Sequence, residues 1–129
     1  MADYKFGIQQ EKTLLPTLKK TFENSLEKTK NKYCLYDFEG DTILIELKSR
    51  RCKSDTYSTT MIGHNKLQMA KRQSKDVYFC FGFTDGLFWH KFEKDNEYQI
   101  QKGGRWDRGK AEISNYVFIP ISQLTKVSQ

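Results

Sequence analysis

The segment Thr42-Ile-Leu-Ile-Glu-Leu-Lys-Ser-Arg50 constrains this chain more than any other. From Ile43 to Ile45 it is apolar at consecutive positions, and strand side chains alternate between the two faces of a sheet. Both faces are therefore apolar, as in a central strand with material packed on each side. The same alternation groups Leu44, Glu46 and Lys48 on one face and Ile43, Ile45 and Leu47 on the other. A carboxylate and an ammonium thus sit two residues apart inside a strand that has to be buried. Charges are rarely buried without partners, so these two side chains need an explanation.

The preceding stretch, Tyr33 to Phe38, also reads as a strand, and Glu39-Gly40-Asp41 supplies the turn of a β-hairpin. A two-residue turn places Asp37 opposite Thr42 or Leu44. Either register puts Asp37 on the face of Glu46 and Lys48, within reach of a shared ion. Asp41 is odd-numbered, faces away and sits in the turn, where Asp is common for local reasons. Asp37 is the preferred carboxylate, and a three-residue loop or a bulge would reverse that choice.

Elsewhere the periodicity predicts a helix over Gln10 to Lys28, from Leu15, Leu18, Phe22 and Leu26 at helical spacing. Pro16 leaves its start open. Ser49 to Gly63 reads as a loop, followed by a helix from about His64 to Ser74 with Leu67 and Ala70 inward. Val77 to Phe83 and Leu87 to Phe92 form a second hairpin around Thr84-Asp85-Gly86. A short strand near Tyr98 to Gln101, a Gly- and Arg-rich loop from Lys102 to Lys110, and a strand over Tyr116 to Ile119 complete the chain. One α/β domain over residues 1–129 is expected, with helices packed on a mixed central sheet.

Two carboxylates and a lysine suit metal-assisted cleavage of a phosphodiester. Mg²⁺ takes hard oxygen ligands and keeps several waters, polarises the phosphate and lowers the pKa of a water. A lysine can orient or deprotonate the attacking water and neutralise developing charge. The net charge of +6 and pI near 9.2 favour a polyanionic partner, although solubility alone would also account for them. Arg50, Arg51 and Lys53 directly follow the charged strand, where a phosphate backbone would pass. Arg105 and Arg108 flank Trp106 in a loop suited to stacking and phosphate binding, or to a hairpin tip with Trp106 tucked inward. His90, between Phe88 and Phe92, reads as structural, and Phe79, Phe81 and Phe83 as core.

Asp37, a hairpin and then Glu46-Leu47-Lys48 resemble the PD-(D/E)xK nuclease superfamily, which includes restriction endonucleases, archaeal Holliday-junction resolvases and viral and phage nucleases. Ile45-Glu46-Leu47-Lys48-Ser49-Arg50 is most similar to the resolvase-like and viral members. The resemblance covers roughly Glu11 to Phe83. It implies a restriction-endonuclease-like αβββαβ core in which Asp37, Glu46 and the Leu47 carbonyl hold Mg²⁺ (or Mn²⁺), with Lys48 at the nucleophilic water. It also implies a first-helix glutamate near the metal, for which Glu11 is at the matching place. A second-helix polar group would aim at the site, for which Gln68 is the first choice and Lys66 the second. There are two departures: Tyr36 stands where the family's proline would, and two strands rather than three are found before the second helix.

The expected activity is hydrolysis of DNA, on branched or structured substrates because no large sequence-reading module is visible. The alternatives are an RNA endonuclease, a non-catalytic nucleic-acid-binding module, and a protein-interaction domain. Cutting both strands symmetrically would call for a homodimer, most simply with C₂ symmetry. Three cysteines without a CxxC pair point to reduced thiols in a reducing compartment. The N-terminal residues lack the apolar region of a signal peptide, and no apolar run approaches the ~20 residues that span a bilayer. Those features lead to the expectation of a soluble, intracellular protein that does not engage a membrane.

Overall fold

Ile43–Ser49 (β3) is a strand whose first five residues are all buried, with apolar side chains packed on both of its faces. The computed structural model describes residues 2–30, 35–104 and 113–128, and everything that follows concerns those residues. The elements run α1 (Ala2–Thr21), β1 (Glu27–Lys28), β2 (Phe38–Glu39), β3, β4 (Thr59–Gly63), α2 (His64–Ala70), β5 (Asp76–Phe83), β6 (Gly86–Lys91), β7 (Gln99–Gly104), β8 (Ile113–Pro120) and β9 (Thr125–Lys126). A six-stranded mixed sheet has the order β1-β2-β3-β5-β6-β9, and a three-stranded antiparallel sheet the order β4-β8-β7. β3 and β5 are parallel neighbours, joined through β4 and α2, and the other pairings of the larger sheet are antiparallel. This is a mixed α/β arrangement consistent with the restriction-endonuclease-like architecture.

Two apolar layers hold it together. On one face of the large sheet, Leu14, Leu15 and Leu18 of α1 pack with Ile43, Ile45, Leu47 and Cys80. On the other face, Leu44, Val77, Phe79 and Phe81 meet Ile62 of β4, Leu67 and Ala70 of α2, and Val117 and Ile119 of β8. The expectation of helices flanking a sheet is thus refined: a small second sheet shares the second face with α2. Phe79 and Phe81 are core, while Phe83 is half-buried.

The first helix differs from the expected Gln10–Lys28 at both ends. It begins at Ala2 and ends at Thr21, and Leu26 is buried beyond its end. Pro16 lies inside the helix on its exposed side, where the carbonyl of Lys12 that it leaves without a donor can be hydrated. The Ser49–Gly63 region is not all loop, because β4 closes it with Thr60 and Ile62 inward. β-branched threonines suit a strand, and β4 is a further strand ahead of the second helix. α2 stops at Ala70, earlier than Ser74. β7 takes in Lys102 to Gly104 from the expected loop, and β8 extends the Tyr116–Ile119 strand at its start and through Pro120. Of the expected Tyr33–Phe38 strand, positions 33 and 34 lie outside the described residues, and the paired part is Phe38–Glu39. No described helix is long and apolar enough to cross a membrane.

Candidate active site

The hairpin between β2 and β3 fixes the geometry of the charged cluster. Phe38 faces Ile45 and Glu39 faces Leu44, and Gly40 donates its N–H to the Ile43 carbonyl at 2.9 Å. The tip is therefore Asp41–Thr42. Asp41 is exposed there, with its N–H bonded to Ser25 Oγ at 2.9 Å. Asp37 donates its own N–H to the Ile45 carbonyl at 2.9 Å. Two consecutive residues, Asp37 and Phe38, are thus drawn to one partner residue, the arrangement of a β-bulge, which re-aims a side chain. Strict alternation across the hairpin does not hold here. The bulge nevertheless leaves Asp37, not Asp41, beside the charged end of β3.

The Asp37 carboxylate completes an edge that β2 abandons. Ile45 and Leu47 are two residues apart, so their main-chain groups point to the same side of β3. The first is taken by the Asp37 backbone, and the second by the Asp37 side chain, whose Oδ2 accepts the Leu47 N–H at 2.8 Å. The Leu47 carbonyl lies on that side as well. Glu46 and Glu11 both lie close enough to the Asp37 carboxyl to perturb its ionisation. Burial, and then the adjacent Glu46 carboxylate, push Asp37 up to about 6, against the Leu47 N–H, which favours the ionised form. Burial likewise raises Glu11, opposed by its ion pair with Lys28.

Glu46 is only 2% exposed and lies between two ammonium groups, Lys48 Nζ at 3.6 Å and Lys66 Nζ at 3.5 Å. Lys66 also donates to the Leu35 carbonyl, and the Tyr36 hydroxyl donates to the Lys66 carbonyl at 3.0 Å, which fastens α2 to this corner. The residue α2 delivers is thus the second choice. Gln68 is exposed, and two residues along a helix turn it about 200° away from Lys66. Glu11 occupies the third turn of α1, because the helix begins at Ala2, so a first-turn helix-dipole preference does not account for it.

A cleft of about 520 Å³ opens over the cluster, lined by Phe6 and Glu11 of α1, by Asp37, and by Leu47 to Arg51. Arg50 is half-buried, with its guanidinium donating to the Met61 carbonyl at 2.6 Å, and burial lowers its pKa. Arg51 is exposed, with its guanidinium 4.5 Å from the centre of the Phe6 ring. Lys53 is exposed and lies past the cleft. Arg105 and Arg108, with Trp106 and Cys34, lie outside the described residues. His90 is buried and bonded to Tyr98 Oη at 2.9 Å, in keeping with a structural role.

The donors at the cluster are hard oxygens: two adjacent carboxyl groups, a third from α1 and a main-chain carbonyl. Among the described residues no three His, Cys, Asp or Glu side chains form a ready-made metal cage. Mg²⁺ takes hard oxygen ligands, is held by one or two carboxylates and completes its shell with water, so the chemistry of this donor set fits it. Two carboxyls in contact, one raised to about 6, also hold negative charge that a cation would offset.

Residues 6–127 match the model of a family described as "Phage putative PDDEXK endonuclease". No curated protein and no solved structure matches the chain.

Proposed function

The chain belongs to this phage PDDEXK endonuclease family, and we propose that it is a Mg²⁺-dependent nuclease that hydrolyses phosphodiester bonds of DNA. The observation that carries the reading is the meeting of Asp37 and Glu46 at the Leu47 main chain, beside Lys48 and under an arginine-lined cleft. Asp37, Glu46 and the Leu47 carbonyl would hold the ion, with Glu11 at its margin. When bound, the ion would supply Lewis acidity toward the phosphate and acidify a water. Mn²⁺ has the same preference for hard ligands and would substitute.

The protein's own groups do the rest. Lys48 is partly exposed at the cleft floor, where its ammonium can orient the attacking water and counter charge growing on the phosphate. Its neighbour Glu46 fixes the ammonium at that spot. Lys66 approaches the same Glu46 oxygen, Oε2, as Lys48 does, so the buried carboxylate stays compensated while Lys48 engages substrate. Arg50 and Arg51 extend from the same strand end and would position the phosphate backbone without reading sequence. A cleft walled by α1 and β3 admits a strand more readily than it reads a groove, which favours branched or partly single-stranded DNA.

The test is cleavage of labelled single-stranded, duplex, flap and four-way-junction DNA, with RNA alongside, in Mg²⁺ or Mn²⁺. Wild type is expected to cut in a metal-dependent way, and Lys48→Ala and Glu46→Gln to lose about 100-fold or more of the rate. Equal cutting by the folded variants, or none by wild type on any substrate, would overturn the reading.

A further inference from the structure

A second cavity, of about 360 Å³, adjoins the cleft, and Arg50 lines both. Its walls carry Tyr57, Phe83 and Phe118, with Met61 between them and Arg50 and Lys53 at the basic side. It lies where the two sheets meet, because Met61 belongs to β4, Phe118 to β8 and Phe83 to the end of β5. Met61 and Phe118 face each other across the β4–β8 pairing. Phe83 is half-buried and braced by Phe81 and Phe88, with ring centroids 6.3 and 5.6 Å away. Tyr57 is 69% exposed, so its ring is accessible to a ligand at the mouth of the cavity.

We propose that this cavity takes one unpaired nucleobase of the strand whose phosphate lies in the cleft, so that the substrate must present an unstacked nucleotide beside the scissile bond. The inference rests on the nuclease reading and narrows its substrate class. Three observations select this occupant. The cavity and the cleft share one wall residue, Arg50, whose guanidinium is held by the Met61 carbonyl at 2.6 Å, so a base and its phosphate can reach the two from opposite sides of it. Its walls are apolar and aromatic while its rim is cationic, which matches a flat π-surface tethered to a phosphate and not a uniformly apolar or uniformly charged ligand. At about 360 Å³ it has room for a base but none for a duplex. A paired base would have to leave its stack to enter, so unpaired positions in single strands, flaps and junctions are preferred.

The experiment measures binding with Ca²⁺ in place of Mg²⁺, using 2-aminopurine-labelled DNA as a single strand and as a fully paired duplex of equal length. Wild type is expected to bind the single strand about tenfold or more tightly than the duplex, and to quench the 2-aminopurine as it stacks. Tyr57→Ala should weaken single-strand binding by about tenfold, selectively over duplex, with the quench lost. Tyr57→Trp should keep both. Because Tyr57 is exposed, these variants are expected to fold, which a thermal melt verifies. Equal affinity for the two DNAs, an unquenched probe, or an unaltered Tyr57→Ala would overturn the proposal. The two readings fail separately: cutting of paired duplex without preference would sink the base pocket and leave the nuclease. Selective, quenched binding without cutting by wild type would sink the nuclease and leave the pocket.

Discussion

Replacing Asp37 with Asn separates the cost of this site from its use. Folding raises the Asp37 pKa from 3.8 to about 6, chiefly by burial and then by the Glu46 carboxylate. The protonated carboxyl therefore stabilises the folded state fully below about pH 4, and that contribution is lost as pH rises through about 6. At neutral pH the metal-free protein carries the whole cost of an ionised Asp37. A shift of about two units corresponds to about 3 kcal/mol as an upper bound. Asparagine removes that charge and keeps the useful contact, since its carbonyl oxygen can accept the Leu47 N–H now bonded at 2.8 Å. Its amide can also donate to Glu46, turning a repulsion into a hydrogen bond. Asp37→Asn should thus stabilise the metal-free protein by about 1–3 kcal/mol near pH 7.5, a rise in Tm of about 3–10 °C for a chain of this size. Near pH 4 the gap should close, because wild-type Asp37 is then protonated too. Differential scanning fluorimetry in chelator at both pH values reads this directly. Mg²⁺ should raise the wild-type Tm and leave the variant unmoved. A variant that is less stable near pH 7.5, or a gap that persists unchanged near pH 4, would refute the electrostatic argument.

Other outcomes follow from the same contacts. Metal affinity, followed by calorimetry with Mn²⁺, should fall as pH drops through about 6, because protons and the ion compete for Asp37. Lys66→Met removes one of the two ammoniums flanking the buried Glu46 and should cost about 2 kcal/mol in urea unfolding without metal; an unchanged midpoint would mean that Lys48 alone suffices. Arg51→Ala should weaken binding to duplex DNA and reduce the slope of log affinity against log salt by about one. Phe79→Ala, at a fully buried position in the layer under β8, should destabilise by about 3–5 kcal/mol in the same unfolding assay.

The parts of the fold that were legible in the sequence are those where one periodicity ruled. Ile43 to Leu47 announces a strand buried on both sides, and Leu67 and Ala70 mark the inner face of α2. The Val77-to-Phe92 region reads as a hairpin because its turn residues and alternating aromatics agree. The misread elements lack that agreement. α1 has its stable middle where Leu14, Leu15 and Leu18 meet the sheet, but its first turns carry little apolar signal and its end is set by tertiary packing of Leu26. β4 is carried by two threonines, one methionine and one isoleucine, and it exists because β8 pairs with it over five residues. Such pairing is non-local, and a window of sequence around Thr59 does not contain it.

The site was partly legible for a different reason. Glu46 and Lys48 stand out because a buried strand has no other use for charge, an argument that needs no knowledge of topology. Asp37 required a register, and simple alternation was the wrong register: a bulge turns Asp37 toward Glu11 while its carboxylate bonds the Leu47 N–H. Lys28 carried no signal of its own, and Lys66 was ranked behind Gln68 by resemblance alone, since a lysine in a helix or on an edge strand is ordinary surface until a carboxylate is found beneath it. Their positions explain how the chain tolerates the cluster at all. Two further carboxyl groups lie near that of Asp37, and ammonium groups stand against both, Lys28 on Glu11, and Lys48 and Lys66 on Glu46. Asp37 alone is answered by a main-chain N–H, and it is the carboxyl whose pKa is driven to about 6. The residual negative charge is thereby concentrated on one group, at the cleft, beside a main-chain carbonyl. Neutralising Asp37 with a further lysine would stabilise the metal-free protein and weaken the proposed cation site, which would lose its least compensated ligand. The under-compensation of Asp37 is thus a feature that the proposed metal site accounts for and a purely structural ion-pair network does not.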